Sequence, residues 1–404
     1  MSENVQKTLR DSAALRWLAL ILLAGAMFCS YIFMDILSPI KDLMWDTKGW
    51  DSTAFGTMQG SETFLNVFVF FLIFAGIILD KMGVRFTAIL SGAVMLIGAS
   101  INWYALTDMF AGSNLEVWFN EHLNYIPGFD ELGVSPFYKG MPASAKFSAI
   151  GFMIFGCGVE MAGITVSRGI VKWFKGREMA LAMGSEMALA RLGVATCMIF
   201  SPMFARLGGE VSVSRSVAFG VVLLMIALIM FIVYAFMDKK LDSQTGEAEE
   251  KDDPFKLSDL GKILTDSGFW LVALLCVLYY SAIFPFQKYA VNMLQCNLVF
   301  HQVDPSSIWA SNTITIIQYV IMLVVAACAF ASNFSKNKVA KYGLMGAAIV
   351  ALVVFCYMGY MRQSAETVFA VFPLLAVGIT PILGNYVDHK GKAATMLVLG
   401  SLLL

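Results

Sequence analysis

The stretch that decides the fold is Gly76-Ile-Ile-Leu-Asp80-Lys-Met-Gly83-Val-Arg85, which lies between two long apolar runs. Glycine permits a tight turn at position 83 and close helix packing at position 76. Asp80, beside basic residues, can bind the N-terminus of a neighbouring helix in one state and release it in another. The stretch therefore predicts a gating turn between two helices. The simpler alternative is an ordinary ion pair that fixes the topology.

A second copy of this pattern occurs near the C-terminus as Gly384-Asn-Tyr-Val-Asp388-His-Lys-Gly391. Two further identities keep the same offset, because Thr87 matches Thr395 and Gly92 matches Gly400. The repeat predicts two related halves, with gating roles for Gly384, Asp388 and Gly391 in the second half.

The composition places these repeats in a membrane. The chain has 404 residues, of which 58% are hydrophobic and 14% are charged, whereas a soluble domain is about half apolar and about a quarter charged. A helix needs about 20 apolar residues to span the hydrocarbon core. We therefore predict an all-α membrane protein with spans at 17–38, 60–80, 86–107, 146–170, 179–205, 214–237, 268–292, 308–332, 341–361 and 367–387.

Lysine and arginine predict the orientation of these spans. Basic residues precede the first span and recur in alternate loops, at 81–85, 168–177, 336–341 and 390–392. Because basic loops stay in the cytoplasm, we expect a cytoplasmic N-terminus. No sorting signal for another compartment is evident, so we expect a cell inner (plasma) membrane.

The polar stretches divide the chain into two parts. Residues 108–145 predict a long outer loop, and 238–267 predict a charged cytoplasmic linker. The linker separates an N-terminal six-helix bundle at 1–237 from a second bundle at 268–404. This layout is typical of transporters built from two halves.

The pattern G-x-x-x-D-x-x-G-x-R at positions 76–85 resembles the signature loop of the major facilitator superfamily. The resemblance implies two six-helix halves, with the second copy between helices 8 and 9. Here that copy follows 367–387, so we predict an extra helical hairpin at 308–361. We also predict a C-terminal truncation, since the chain stops about 12 residues into a helix that needs about 20. Alternatively, 308–332 and 341–361 are themselves helices 8 and 9.

Two ionisable residues lie inside predicted spans, where a charge is a candidate functional group. Glu160 and Arg191 each lie roughly 18–20 Å from the cytoplasmic edge, at 1.5 Å per helical residue. Both lie on stripes of small residues, which leave room for a ligand or for close helix packing. A carboxylate and a guanidinium at one depth suit a zwitterion. The alternative is a buried salt bridge that locks two helices, although such pairs stabilise poorly.

Three segments extend the resemblance to the dipeptide transporters of that superfamily: Ser30-Tyr31-Ile-Phe-Met-Asp35, Glu160 to Arg191, and Tyr279-Tyr280-Ser-Ala-Ile-Phe284. This resemblance implies that Glu160 and Arg191 bind the two ends of a dipeptide. Tyr279, Tyr280 and Phe284 are further candidates for lining the site, unless they only pack. Asp35 is a candidate as well, although a solvated helix end is an equal alternative.

Other charged residues receive structural expectations. We expect Glu186 to pair with Arg168, and we assign Glu62 no role because it lies at an outer helix end. The seven cysteines and three histidines show no metal-binding spacing, so we expect no cofactor and no metal.

These features predict a secondary transporter that moves dipeptides or similar zwitterions by alternating access. A carrier of another organic anion, with Glu160 as a proton site, and a non-transporting sensor or subunit are the alternatives. An enzyme is not expected, because no nucleophile–base pair or nucleotide loop is present. The expected partners are a small-molecule substrate and the lipid bilayer, without nucleic acid, and we expect a monomer.

Overall fold

The computed structural model describes residues 8–123, 137–138, 140–176, 178–245, 257–298, most of 300–390 and four positions beyond residue 394. Among these residues the regular structure is helical, without strands. Eight helices in the described part are long and apolar enough to cross a membrane. The predicted class, an all-α membrane protein, is confirmed.

The helices before the linker form what we call the N-terminal bundle. They are α1 (Ala13–Met34), α2 (Lys41–Lys48), α3 (Ser52–Phe68), α4 (Phe71–Ala105), α5 (Asn114–His122), α6 (Ala143–Phe174), α7 (Met179–Ala205) and α8 (Val213–Thr245). Helix α9 (Leu257–Thr265) lies in the linker. We call the remaining helices the C-terminal helices: α10 (Ser267–Asn297), α11 (Asn312–Phe334), α12 (Lys338–Met361) and α13 (Ala365–Lys390).

Helices α3 and α4 differ in their bounds from the second and third predicted spans. Helix α3 ends at Phe68, and Phe70 adopts a left-handed conformation with φ 56°. Aromatic and β-branched residues at 67–71 lose side-chain freedom in a helix, which favours a break there. The predicted turn at Gly83 is confirmed, because α4 is interrupted at that residue by φ 80° and ψ 169°.

The predicted end of the sixth span, at residue 237, is also corrected. Helix α8 runs to Thr245, past the predicted linker start at residue 238. The carboxylates of Asp238 and Asp242 each lie 2.7 Å from the ammonium of Lys172 on α6. This cross-helix pairing holds the polar end of α8 in the bundle. The acidic residues 247–253 lie outside the described residues.

Most of the N-terminal bundle shares one large apolar core. Helix α4 packs along α6 and α8, and α1 packs between α7 and α8. Helix α13 packs along α7, where Ala188 and Ala195 share an apolar cluster with Phe369. This contact joins the C-terminal helices to the bundle.

The predicted hairpin at 308–361 consists of α11 and α12, which pack against each other. Its status as an insertion, the division into halves and the truncation stay predictions. Gly391 and the side chain of Asp388 lie outside the described residues, and the surroundings of Gly384 are likewise not described.

Candidate functional site

The two predicted ligand-binding charges lie at similar depths on adjacent helices. Glu160 precedes the end of α6 by about 21 Å, and Arg191 follows the start of α7 by about 18 Å. Both side chains are partly buried. Within the described part of the chain no ion pair joins them, and the Glu160 side chain makes no hydrogen bond. The locking salt bridge that was the alternative is therefore not formed between these side chains.

Small residues around Glu160 serve two purposes. A Cβ added at Gly156 would overlap the backbone carbonyl oxygen of Glu62, so this glycine allows α3 to approach α6 closely. A Cβ added at Gly163 would meet no atom within 4 Å. Gly163 lies one turn from Glu160 on the same helix face. The face of α6 that carries Glu160 therefore borders open space.

Tyr31 lies among the charges of the site. The guanidinium carbon of Arg191 is 6.0 Å from the centre of the Tyr31 ring. Glu160, Glu186 and Tyr280 also lie within electrostatic range of this tyrosine. Tyr31 thus places α1 beside the predicted binding charges, and the tertiary structure adds it to the candidate residues.

Asp35 is fully buried, so the alternative of a solvated helix end is wrong. Its Oδ1 atom lies 2.9 Å from Nζ of Lys288 on α10. Its Oδ2 atom accepts a hydrogen bond of 2.9 Å from Nε2 of Gln287. Sequence reasoning missed both partners, although Lys288 is the one charged residue in α10, a signal that marks functional positions in membrane helices.

Glu62 belongs to the same group, which corrects the expectation that it has no role. Its carboxylate is buried and lies 3.7 Å from Nζ of Lys288. A single ammonium therefore faces two buried carboxylates, those of Asp35 and Glu62. Such a group keeps its charges at a low cost only while the three side chains stay together.

The expected pairing of Glu186 with Arg168 is wrong. Arg168 donates to the carboxylate of Asp80 instead. Glu186 is buried, and its electrostatic interaction is with Arg191. Glu186 therefore lies within electrostatic range of Arg191, five positions along α7.

The aromatic candidates on α10 are arranged along one exposed stretch. Tyr280 stacks on Phe284 at 5.0 Å and meets Tyr279 edge-on at 5.5 Å. Phe286 packs on Phe369 of α13 at 5.9 Å. Helix α10 continues through Pro285 without interruption. Contact of Tyr279, Tyr280 and Phe284 with a ligand stays a prediction.

The family model of the Major Facilitator Superfamily matches residues 23–387, which is most of the chain. The chain belongs to the Major Facilitator Superfamily. The matched range includes Glu160, Arg191 and the Asp35–Lys288 pair. The predicted family is thereby confirmed.

Relatives within the superfamily are proteins named lysosomal dipeptide transporter MFSD1. The Gallus gallus protein is 29% identical over 145 residues, covering 34% of this chain and 32% of the relative. The Homo sapiens protein is 24% identical over 280 residues, covering 67% of this chain and 52% of the relative. The aligned regions thus span about a third to a half of the length of these relatives.

Solved structures of superfamily transporters resemble the chain along most of its length. A bacterial homologue of the human drug peptide transporters PepT1 and PepT2 is 13% identical, with a TM-score of 0.43 and coverage of 96% of this chain and 98% of the other. The xylose transporter XylE from E. coli, in a partially occluded inward open conformation, is 11% identical, with a TM-score of 0.47 and coverage of 93% and 99%. At these TM-scores neither structure informs the conformation or the substrate.

The superfamily signature loop makes side-chain contacts inside the N-terminal bundle. Asp80 pairs with Arg168 of α6, and Arg85 lies 2.6 Å from a carboxylate oxygen of Asp242 on α8. A Cβ added at Gly76 would meet no atom within 4 Å, so the predicted close packing at Gly76 is wrong for this conformation. The gating roles stay predictions.

A separate polar cavity of about 960 Å³ lies away from Glu160, where the C-terminal end of α7 meets the turns before α11 and α13. Arg206, His301 and Asp304 line it together with Arg362 and Glu366. Burial lowers the pKa of Arg362, and the nearby Glu366 carboxylate opposes this shift. None of the predicted binding residues lines this cavity.

Proposed function

We propose that this superfamily transporter moves dipeptides or similar small zwitterions by alternating access. Arg191 binds the carboxylate of the ligand, and Glu160 binds its ammonium group. One observation carries the proposal: two opposite charges, partly buried at similar depth, face the site without pairing with each other.

The physical reason is that unpaired charges in a membrane interior are costly. A zwitterion supplies an opposite charge to Glu160 and a hydrogen-bonding carboxylate to Arg191, whose charge otherwise interacts with Glu186, whereas an anion compensates only Arg191. The planar guanidinium can bind a carboxylate through two parallel hydrogen bonds of about 2.7–2.9 Å. Its described hydrogen bond, to Oε1 of Gln287, is longer at 3.4 Å, so a ligand carboxylate is the stronger partner.

Two further facts support the proposal. The relatives named above carry the name of a dipeptide transporter, and the alignment with the human protein covers 67% of this chain. The open space beside Gly163 lies next to Glu160 and leaves room for a ligand. Tyr31 places a ring beside Arg191 and within electrostatic range of Glu160.

The contacts of α10 support a conformation that is closed at one end. Its hydrogen bonds to the N-terminal bundle involve residues 287–292, which meet the end of α1, the segment from there to the start of α3, and Arg191 on α7. Most of its residues from 267 to 286 are exposed. With a cytoplasmic N-terminus, which is part of the proposal, the closed end faces outward. A cell inner membrane and a monomeric state belong to the same proposal, whereas the relatives are named as lysosomal.

Uptake of a labelled dipeptide into proteoliposomes tests the proposal. Three ligands are compared: the free dipeptide, its N-acetyl derivative, which lacks the ammonium, and its C-terminal amide, which lacks the carboxylate. The wild-type protein is expected to prefer the free dipeptide. Glu160→Gln should abolish the preference over the N-acetyl derivative, and Arg191→Gln should abolish the preference over the amide.

Glu121→Gln on exposed α5 and Arg206→Gln at the end of α7 are the matched controls, and both should keep the preferences. Equal uptake of all three ligands by the wild-type protein would contradict the zwitterion site. If the N-acetyl derivative enters as fast as the free dipeptide and Arg191→Gln alone blocks it, the protein carries organic anions instead.

A further inference from the structure

A buried ion pair joins the C-terminal helices to the N-terminal bundle. Nζ of Lys288 lies 2.9 Å from Oδ1 of Asp35 and donates a hydrogen bond of 2.9 Å to the carbonyl oxygen of Met34. Asp35 is fully buried, and the Lys288 side chain is 12% exposed. We call the Asp35–Lys288 pair the latch.

The two charges of the latch compensate each other only while the side chains stay in contact. Separating a buried ion pair leaves each charge without compensation until water reaches it. Glu62, at 3.7 Å from Nζ, adds a second carboxylate that attracts the same ammonium. Movement of α10 away from α1 therefore needs a compensating event nearby.

Gln287 connects the latch to the candidate binding site. Its Nε2 atom donates to Oδ2 of Asp35 at 2.9 Å. Its Oε1 atom accepts from Nη1 of Arg191 at 3.4 Å. Because the amide is 4% exposed, these two side chains are its partners in the described structure. One side chain thus contacts both the residue assigned to the ligand carboxylate and the acidic half of the latch.

The two contacts of Gln287 differ in strength. The bond to Asp35 is short, whereas the bond to Arg191 is near the upper limit for a hydrogen bond. A carboxylate binds a guanidinium at about 2.7–2.9 Å and roughly twice as strongly as a neutral acceptor. A ligand carboxylate at Arg191 therefore displaces the Gln287 amide oxygen.

The position of Gln287 on α10 favours movement. Pro285, two residues earlier, lacks a backbone N–H and leaves the Ser281 carbonyl without its helical donor. The residues after Gln287 hold the same closed end, since Asn292 donates to Asp42 at 2.9 Å and Tyr289 donates to the Ser52 carbonyl at 3.2 Å. The segment 287–292 can thus tilt about Pro285 as a unit.

We propose that Gln287 couples ligand binding to opening of the closed end. The ligand carboxylate takes over Arg191, Gln287 loses its second anchor, and the latch between Asp35 and Lys288 loosens. Gln287 is a positioning residue in this scheme. The inference rests on the proposed function, because it requires a ligand carboxylate at Arg191.

A cross-link across the closed end measures the coupling. Cysteines replacing Asp42 and Asn292, in a background without native cysteines, form a disulfide when the end is closed. A dipeptide should slow cross-linking of the wild-type site by about fivefold or more, the usual size of coupling between sites. The C-terminal amide of the dipeptide should leave the rate unchanged. In Gln287→Leu the dipeptide should change the rate by less than about twofold.

Two further variants separate coupling from a structural role. Gln287→Glu places one carboxylate oxygen at Arg191 and the other against Asp35, where the amide donated a hydrogen bond. It should weaken dipeptide binding by about fivefold or more and should also weaken the latch. Gln295→Leu, on the same helix, is the matched control and should respond like the wild-type site. Thermal stabilisation by the dipeptide reports binding independently of the cross-link.

The outcomes distinguish the two levels of the proposal. The coupling role is overturned if a dipeptide stabilises Gln287→Leu and slows its cross-linking as much as in the wild-type site. It is also overturned if a dipeptide binds the wild-type site without changing its cross-linking. A chain stabilised by none of the dipeptides overturns the proposed function, and the inference with it.

Discussion

Two glycines on one face of α6 provide a direct test of how the site is built. Gly156→Ala places a methyl group against the backbone carbonyl oxygen of Glu62, so α3 must move by on the order of 1 Å to restore normal contact. Overpacking of this kind costs about 1–3 kcal/mol. Gly163→Ala meets open space, and alanine favours a helix over glycine by up to about 1 kcal/mol. The two substitutions should therefore change stability in opposite directions.

Thermal unfolding of the purified protein in detergent measures this difference. Gly156→Ala should lower the midpoint and Gly163→Ala should leave it unchanged or raise it. Equal losses in both variants would refute the assignment of open space beside Glu160. The larger Gly163→Leu provides the functional arm, since it should reduce dipeptide uptake on the order of tenfold, which corresponds to about 1.4 kcal/mol, while the protein remains folded.

Three further predictions concern the turn, the polar core and the topology. Gly83→Ala should cost about 1–3 kcal/mol in thermal unfolding, because its φ and ψ are nearly exclusive to glycine, whereas Gly76→Ala should be neutral; equal shifts would contradict the turn. Asp238→Asn should destabilise by up to about 3–5 kcal/mol in denaturant unfolding, since it removes the charge of a fully buried carboxylate that pairs with the partly exposed Lys172, and the exposed Asp108→Asn should have no measurable effect; a neutral Asp238→Asn would refute this. A single cysteine replacing Asp108 should react with an impermeant maleimide added outside, whereas one replacing Lys240 should react only after permeabilisation. The reverse pattern would exclude a cytoplasmic N-terminus.

The location of most membrane helices could be predicted because hydropathy is a local property. A run such as 179–205 needs no partner to be recognised, and α7 begins and ends at those residues. The break at Phe70 was not predicted, since the apolar run continues across it. The extension of α8 past residue 238 was missed because the ion pair with Lys172 is not visible in a linear charge count.

The candidate site was predicted in part. Glu160 and Arg191 stood out as isolated charges in apolar runs. Lys288 is equally isolated in the apolar run of α10, but it was not recognised as a candidate. The burial of Asp35 and Glu62 was misjudged because distance from the span centre was taken as exposure to water.

The sequence by itself determined the membrane class, the superfamily and the two charges suited to a zwitterion. These follow from composition, from a short motif and from isolated charges. None of these signals requires knowledge of which helices pack together. Only the tertiary structure decided that Glu160 and Arg191 do not pair, and that Asp35 pairs with Lys288. Gln287 bonds to Asp35 across 252 residues of sequence, and such a contact depends on how α10 packs against α1. Packing of that kind is set by the summed shapes of whole helices, so no local pattern encodes it.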